Sequence, residues 1–112
     1  MAHSYSLSVD ETLHGFTVES AQTLEEIDGN AYTLRHAKSK ARLLYLQNDD
    51  ENKAFSIAFK TPPADSTGVF HILEHSVLCG SRKFPVKEPF VNLIKRSMQT
   101  FLNALTFADK TM

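Results

Sequence analysis

The chain has 112 residues, enough for one small domain at most. Its 42% hydrophobic content with eight Phe excludes wholesale disorder, and a net charge of −1 offers no basic face to nucleic acid or an anionic membrane. The single cysteine, Cys79, excludes an internal disulfide, and no apolar run approaches the roughly 18 residues of a membrane span.

Residues 1–7 carry neither a signal-peptide apolar core nor an arginine-rich transit pattern, so the expected location is cytoplasmic. The alternative is a mitochondrial or other organellar matrix, reached with a presequence since removed. Leu13, Phe16 and Val18 suggest a short extended piece, residues 23–27 follow no clear period, and Asp28-Gly29-Asn30 is a turn signal. Residues 31–36 read as a strand around Tyr32-Thr33-Leu34, and residues 37–40 as a polar turn. A second strand, 41–47, is apolar on both faces in its middle. The charged loop 48–52 is expected to be solvated rather than a metal site. Residues 54–60 alternate Phe55, Ile57 and Phe59 with smaller or polar residues, which predicts a third strand in an antiparallel hairpin with the second.

Thr61-Pro62-Pro63 stops that strand. Asp65, Ser66 or Thr67 can then cap the start of a helix, and Gly80 its end. Inside the helix lies His71-x-x-Glu74-His75, the inverted zinc-protease motif. At about 100° per residue, these three side chains fall within an arc of roughly 100°. Val69, Ile72, Leu73, Ser76, Val77 and Cys79 occupy the rest of the circumference, which predicts a buried helix with one polar stripe. Cys79 then reads as a small buried hydrophobe.

Two imidazoles and a carboxylate in a core need a common partner, because unpaired polar groups there are costly. Zn²⁺ suits them: i, i+4 spacing brings both His71 and His75 nitrogens to one ion at about 2.0–2.1 Å. Glu74 is displaced from the pair and can take the proton of a water that zinc has made acidic. The blander reading is a helix whose histidines and glutamate are merely solvated.

Residues 82–87 form a loop, and Pro89 can open a second helix with Phe90, Leu93, Ile94 and Met98 along one side. Residues 100–107 alternate again as a strand, and 109–112 offer no closing element. The order β-β-β-α-α-β predicts an α+β fold with helices packed on one face of a mainly antiparallel sheet. Its last strand is expected to lack a partner, as in a chain that stops before its fold does.

Three blocks together resemble the pitrilysin/insulinase metallopeptidases, and within them the presequence-protease branch. They are His71-Ile72-Leu73-Glu74-His75-Ser76-Val77-Leu78-Cys79-Gly80-Ser81, Phe84-Pro85-x-Lys87-Glu88-Pro89-Phe90, and Phe101-Leu102-Asn103-Ala104-x-Thr106-x-x-Asp109-Lys110-Thr111. The likeness extends upstream through Phe55-x-Ile57-x-Phe59 and Thr61-Pro62-Pro63-x-Asp65-Ser66-Thr67-Gly68, and covers about residues 14 to 112.

The resemblance implies zinc ligation by His71 and His75, with Glu74 as the general base for attack on a peptide bond. It implies that Asn103 and Ala104 lie on an edge strand that pairs with an extended, unstructured peptide, such as a targeting-type peptide. It also implies a third ligand, a glutamate many tens of residues downstream of His75, beyond Met112; Glu88 does not match that motif position. Residues 1–112 are therefore expected to be the N-terminal portion of one peptidase domain. Alone, the chain is expected to be inactive, its partner being the remainder of the protease or a complementary subunit, with neither nucleic acid nor membrane involved. Two other readings stay open: a non-catalytic scaffold or partner subunit on the same fold, and a small stand-alone zinc-binding module.

Overall fold

The computed structural model describes residues 6–96 and 101–112, and the chain divides into two compact units at Lys53/Ala54. The first unit is a four-stranded antiparallel sheet in the order β1 (Thr12–Leu13), β2 (Phe16–Leu24), β3 (Gly29–His36) and β4 (Arg42–Gln47). Each connection is short enough to dictate a hairpin. β1 turns into β2 through His14 and Gly15, both at positive φ (50° and 82°), as a two-residue turn matched to strand twist requires. Residues 25–28 join β2 to β3 through a turn of 3₁₀ helix, ending on Asp28 in the left-handed region (φ 46°). Residues 37–40 return β3 into β4, as their polar composition predicts, with Lys40 at φ 61°.

The core of this unit follows from period-two alternation. Tyr32 and Leu34 point inward from β3, Val18 from β2 sits opposite Leu34, and Leu7 covers them, with Phe16 at the margin. Val18 is fully buried. A register shift between Val18 and Ser20 marks a bulge in β2. On the exposed part of these strands Glu19 pairs with Arg35. β2 and β3 are both longer than the sequence pattern suggests: Gly29 and Asn30 belong to the strand rather than to a turn. Gly29 is required there, because a Cβ would stand 2.2 Å from the Gln47 carbonyl oxygen of β4.

The second unit holds α1 (Val69–Leu78), α2 (Pro89–Arg96) and a small ladder between β5 (Phe59–Lys60) and β6 (Lys110–Thr111). The α+β class is thus as expected, but the strand partners differ from those the sequence suggests. β4 pairs with β3, and only Phe59 and Lys60 of the 54–60 segment join a ladder, with residues some fifty positions later. The segment 101–107 is likewise not a continuous strand. Its end does find a partner: Leu105 and Met112 exchange backbone hydrogen bonds of 2.9 and 2.8 Å, Phe107 N–H donates to the Lys110 carbonyl at 2.8 Å, and Thr106 bridges Thr111. The last strand is therefore closed by residues 110–112, contrary to the expectation that nothing follows it. Met98 and Thr100, placed by the sequence on the second helix and the last strand, lie outside the described residues.

α1 departs from its predicted environment. Among the described residues the only buried one on this helix is Glu74, whereas Ile72 and Val77 are 64% and 61% exposed, and Cys79 is exposed too. The expected buried helix with a polar stripe does not appear: within this unit Glu74 alone is covered, His71 and His75 are exposed, and so are the apolar Val69, Ile72, Leu73 and Val77, with Phe70 and Leu78 half-buried. No described helix is long and apolar enough to cross a membrane.

Candidate functional site

α1 starts on Gly68, whose φ of 72° lies in the left-handed region that glycine reaches without strain. The Gly68 carbonyl accepts the Ile72 N–H at 3.0 Å. None of the three predicted capping side chains bonds to the helix end. Asp65 instead closes its own turn: its Oδ1 accepts the Thr67 hydroxyl at 2.6 Å and the Thr67 N–H at 3.0 Å. Those two bonds, the hydroxyl first, hold the Asp65 carboxyl below its ordinary pKa. At the other end Cys79 is the capping residue, one position before the expected Gly80.

One turn of helix separates His71 from His75, and their rings lie 4.8 Å apart, tilted by 44°. Their Nε2 atoms approach to 3.0 Å. Two imidazole nitrogens bound to one tetrahedral zinc would be roughly 3.3 Å apart, given Zn–N near 2.05 Å. The pair therefore fits a shared cation with a shift of a few tenths of an ångström. A glutamate carboxylate completes the group: one ligand-capable atom from each of His71, Glu74 and His75 lies within 4.8 Å of the others, the single such set among the described residues. The acidic loop 48–52 is not part of any such set; there Asp50 is engaged by Asn52 through its N–H and side-chain amide, which lowers its pKa.

Glu74 is 8% exposed. Its Oε2 accepts a 2.9 Å hydrogen bond from the Thr106 hydroxyl, a residue absent from the sequence-derived site. Alternation in 101–107 puts Leu102, Ala104 and Thr106 on one side, and all three are half-buried while their neighbours are exposed, but that pattern does not by itself bring Thr106 to Glu74. Asn103 and Ala104 line the same cleft of about 550 Å³ as His71, Glu74 and His75, together with Thr106. Asn103 Oδ1 accepts the Ala104 N–H at 2.9 Å. Glu88 also lines this cleft but stands outside the converging set; it sits at φ 50° before α2, its carbonyl and that of Lys87 held by the Asn92 side-chain amide at 3.1 and 3.0 Å.

Chemically, the arrangement offers two imidazole nitrogens for one metal ion and a buried, anchored carboxylate beside them. No protein-family model matches the chain. Individual proteins do: over 97 residues it is 54% identical to presequence protease 1, chloroplastic/mitochondrial, of Arabidopsis thaliana, which covers 87% of this chain and 9% of that protein. This chain belongs to the presequence-protease branch of the pitrilysin family. The mitochondrial presequence protease of Mus musculus shares 47% identity over 104 residues, 93% of this chain and 10% of the mouse protein. Protein HypA of Clostridium perfringens shares 56% over 98 residues, 88% of this chain and 10% of that protein. The chain spans about a tenth of the length of the curated relatives it matches. The family is thus one of proteolytic enzymes.

Proposed function

We propose that this chain carries the metal-binding and proton-transfer residues of a zinc-dependent endopeptidase that degrades short, unstructured peptides, targeting-type peptides among them. The observation that carries the reading is the convergence of the His71 and His75 Nε2 atoms at 3.0 Å beside the buried Glu74 carboxylate. Zn²⁺ bound there would polarise a peptide carbonyl and acidify a water. His71 and His75 would hold the ion through the two Nε2 atoms that approach each other. Glu74 accepts the water's proton at its carboxylate and can return it to the departing amine. Asn103 and Ala104, in the same cleft, offer backbone groups to an extended peptide once the Asn103 side chain releases the Ala104 N–H.

A catalytic zinc site has three protein ligands and an open position. On this reading the third is a glutamate outside residues 1–112, supplied by the remainder of the protease or a complementary subunit, and the 112-residue chain alone is inactive. The organellar alternative draws support from the Arabidopsis and mouse relatives, which are named as chloroplastic/mitochondrial and mitochondrial proteases and lend none to a cytoplasmic location. The closed hairpin at 105–112 removes one argument against a stand-alone zinc module, so that reading is kept as the rival.

A zinc titration separates the two. The metal-free 112-residue chain should bind one Zn²⁺ weakly, micromolar or poorer, and lose binding in His75→Ala. The full-length protein should cleave an unstructured peptide and lose at least about a thousandfold in kcat with Glu74→Gln. Nanomolar binding by the short chain would favour the module, and undiminished cleavage in Glu74→Gln would refute the assignment of the base.

A further inference from the structure

We propose that Thr106 is a positioning residue for Glu74: its hydroxyl fixes Oε2 so that Oε1 is the oxygen that handles the proton. The inference rests on the peptidase reading and goes beyond its motif residues. A glutamate side chain has three rotatable bonds, and α1 by itself leaves the carboxylate free to turn. In the structure that freedom is removed by one contact, the 2.9 Å bond from Thr106 Oγ1, made across 32 residues of sequence. Among the described residues no other hydrogen bond reaches the Glu74 carboxylate and no buried side-chain oxygen is left unpartnered, so Oε1 stays accessible on a residue that lines the cleft with His71 and His75.

The anchor is itself rigid. Thr106 bridges Thr111, between the Leu105–Met112 and Phe107–Lys110 backbone bonds. Thr111 is in turn held on its far side by Phe59 in the β5–β6 ladder and by the 2.9 Å hydroxyl contact with Thr61. A threonine adds its own stiffness at χ1. A hydrogen bond to a carboxylate in a buried setting is also among the stronger ones available to a hydroxyl. One oxygen held and one open is the arrangement that orients a base toward its proton without competing for it. The same segment carries Asn103 and Ala104, so the residues that would register the peptide and the residue that orients the base share one backbone.

The test uses the zinc-loaded, full-length peptidase and an unstructured peptide substrate. Thr106→Val, isosteric but without the hydroxyl, should lower kcat by roughly tenfold to a hundredfold, with KM and zinc content unchanged. Thr106→Ser should restore kcat to within about threefold of the parent. In a Glu74→Gln background Thr106→Val should cost nothing further, since there is no base left to orient. If Thr106→Val fails to fold or to load zinc, Thr106→Ala against Thr106→Ser makes the same comparison without the added methyl.

A Thr106→Val enzyme with parental kcat, alongside a dead Glu74→Gln, would overturn the positioning role and leave the peptidase reading standing. A loss in Thr106→Ser as large as in the hydroxyl-free variants would also overturn it. A parent protein without zinc-dependent cleavage would overturn both.

Discussion

In residues 1–53, alternate side chains of β2 and β3 are withdrawn from water, and Val18 is sealed completely. In residues 54–112 the flanks of α1 and the aromatic rings of Phe55 and Phe101 stand open, and the one buried residue of the helix is an acid. Both regions carry comparable apolar patterning in sequence. What separates them is whether the patterned face meets another element. The sheet unit covers Val18, Tyr32 and Leu34 where β2 and β3 pair, although Leu43, Leu44, Tyr45 and Leu46 of β4 stay exposed, whereas the motif unit uses its closest packing to hold a carboxylate. Apolar periodicity states which face seeks cover, and the tertiary partners decide whether it is covered.

Substitutions can break or sharpen this contrast. The largest expected effect is Gly29→Ala, because the new Cβ would fall on the Gln47 carbonyl and force β3 and β4 apart. A loss of about 3 kcal/mol or more is expected, read as a lowered midpoint in thermal or urea unfolding of the sheet unit. Next comes a matched pair. Val18→Ala removes two methyl groups from a sealed position and should cost about 2–3 kcal/mol. Ile72→Ala, at a position 64% exposed, should cost under about 0.5 kcal/mol in the 112-residue chain. Equal losses for the two would mean that the motif helix is covered in solution and that the contrast is wrong.

The smallest effect concerns the turn before α1. The Asp65 carboxyl is held below its unfolded value near 3.9 by Thr67, so its contribution is present above about pH 4 and is lost as pH falls through the depressed folded value. Amide exchange at Thr67, corrected for its intrinsic pH dependence, should stay protected down to about pH 4 and open below it. Protection unchanged at pH 2 would show that the carboxylate does not hold the turn.

Much of the local architecture was legible in the residues. Strands 31–36 and 41–47, the polar turn between them, the motif helix and the Pro89 start of α2 all depend on contacts within a few positions, and all appear. The strand through Ala21, Gln22 and Thr23 was not legible, because it is polar and holds its place by pairing with β3. Nor was the β5–β6 ladder, whose partners lie some fifty residues apart. At the site, the histidine pair was readable from i, i+4 spacing alone. The Thr106 anchor required knowing that residue 106 returns to the helix, and the burial of Glu74 rather than of Ile72 depended on the same distant return.

The Glu74–Thr106 bond also sets an order of events when the chain folds. His71 and His75 come together as soon as one turn of helix forms, which for an isolated helix takes a microsecond or less. The carboxylate acquires its anchor only after the chain has closed across the 32 positions from Glu74 to Thr106 and the 105–112 hairpin has formed, each step carrying an entropic cost that the helix alone does not bear. The approach of the two histidines is therefore set by local structure, and the orientation of the carboxylate by a later, long-range closure.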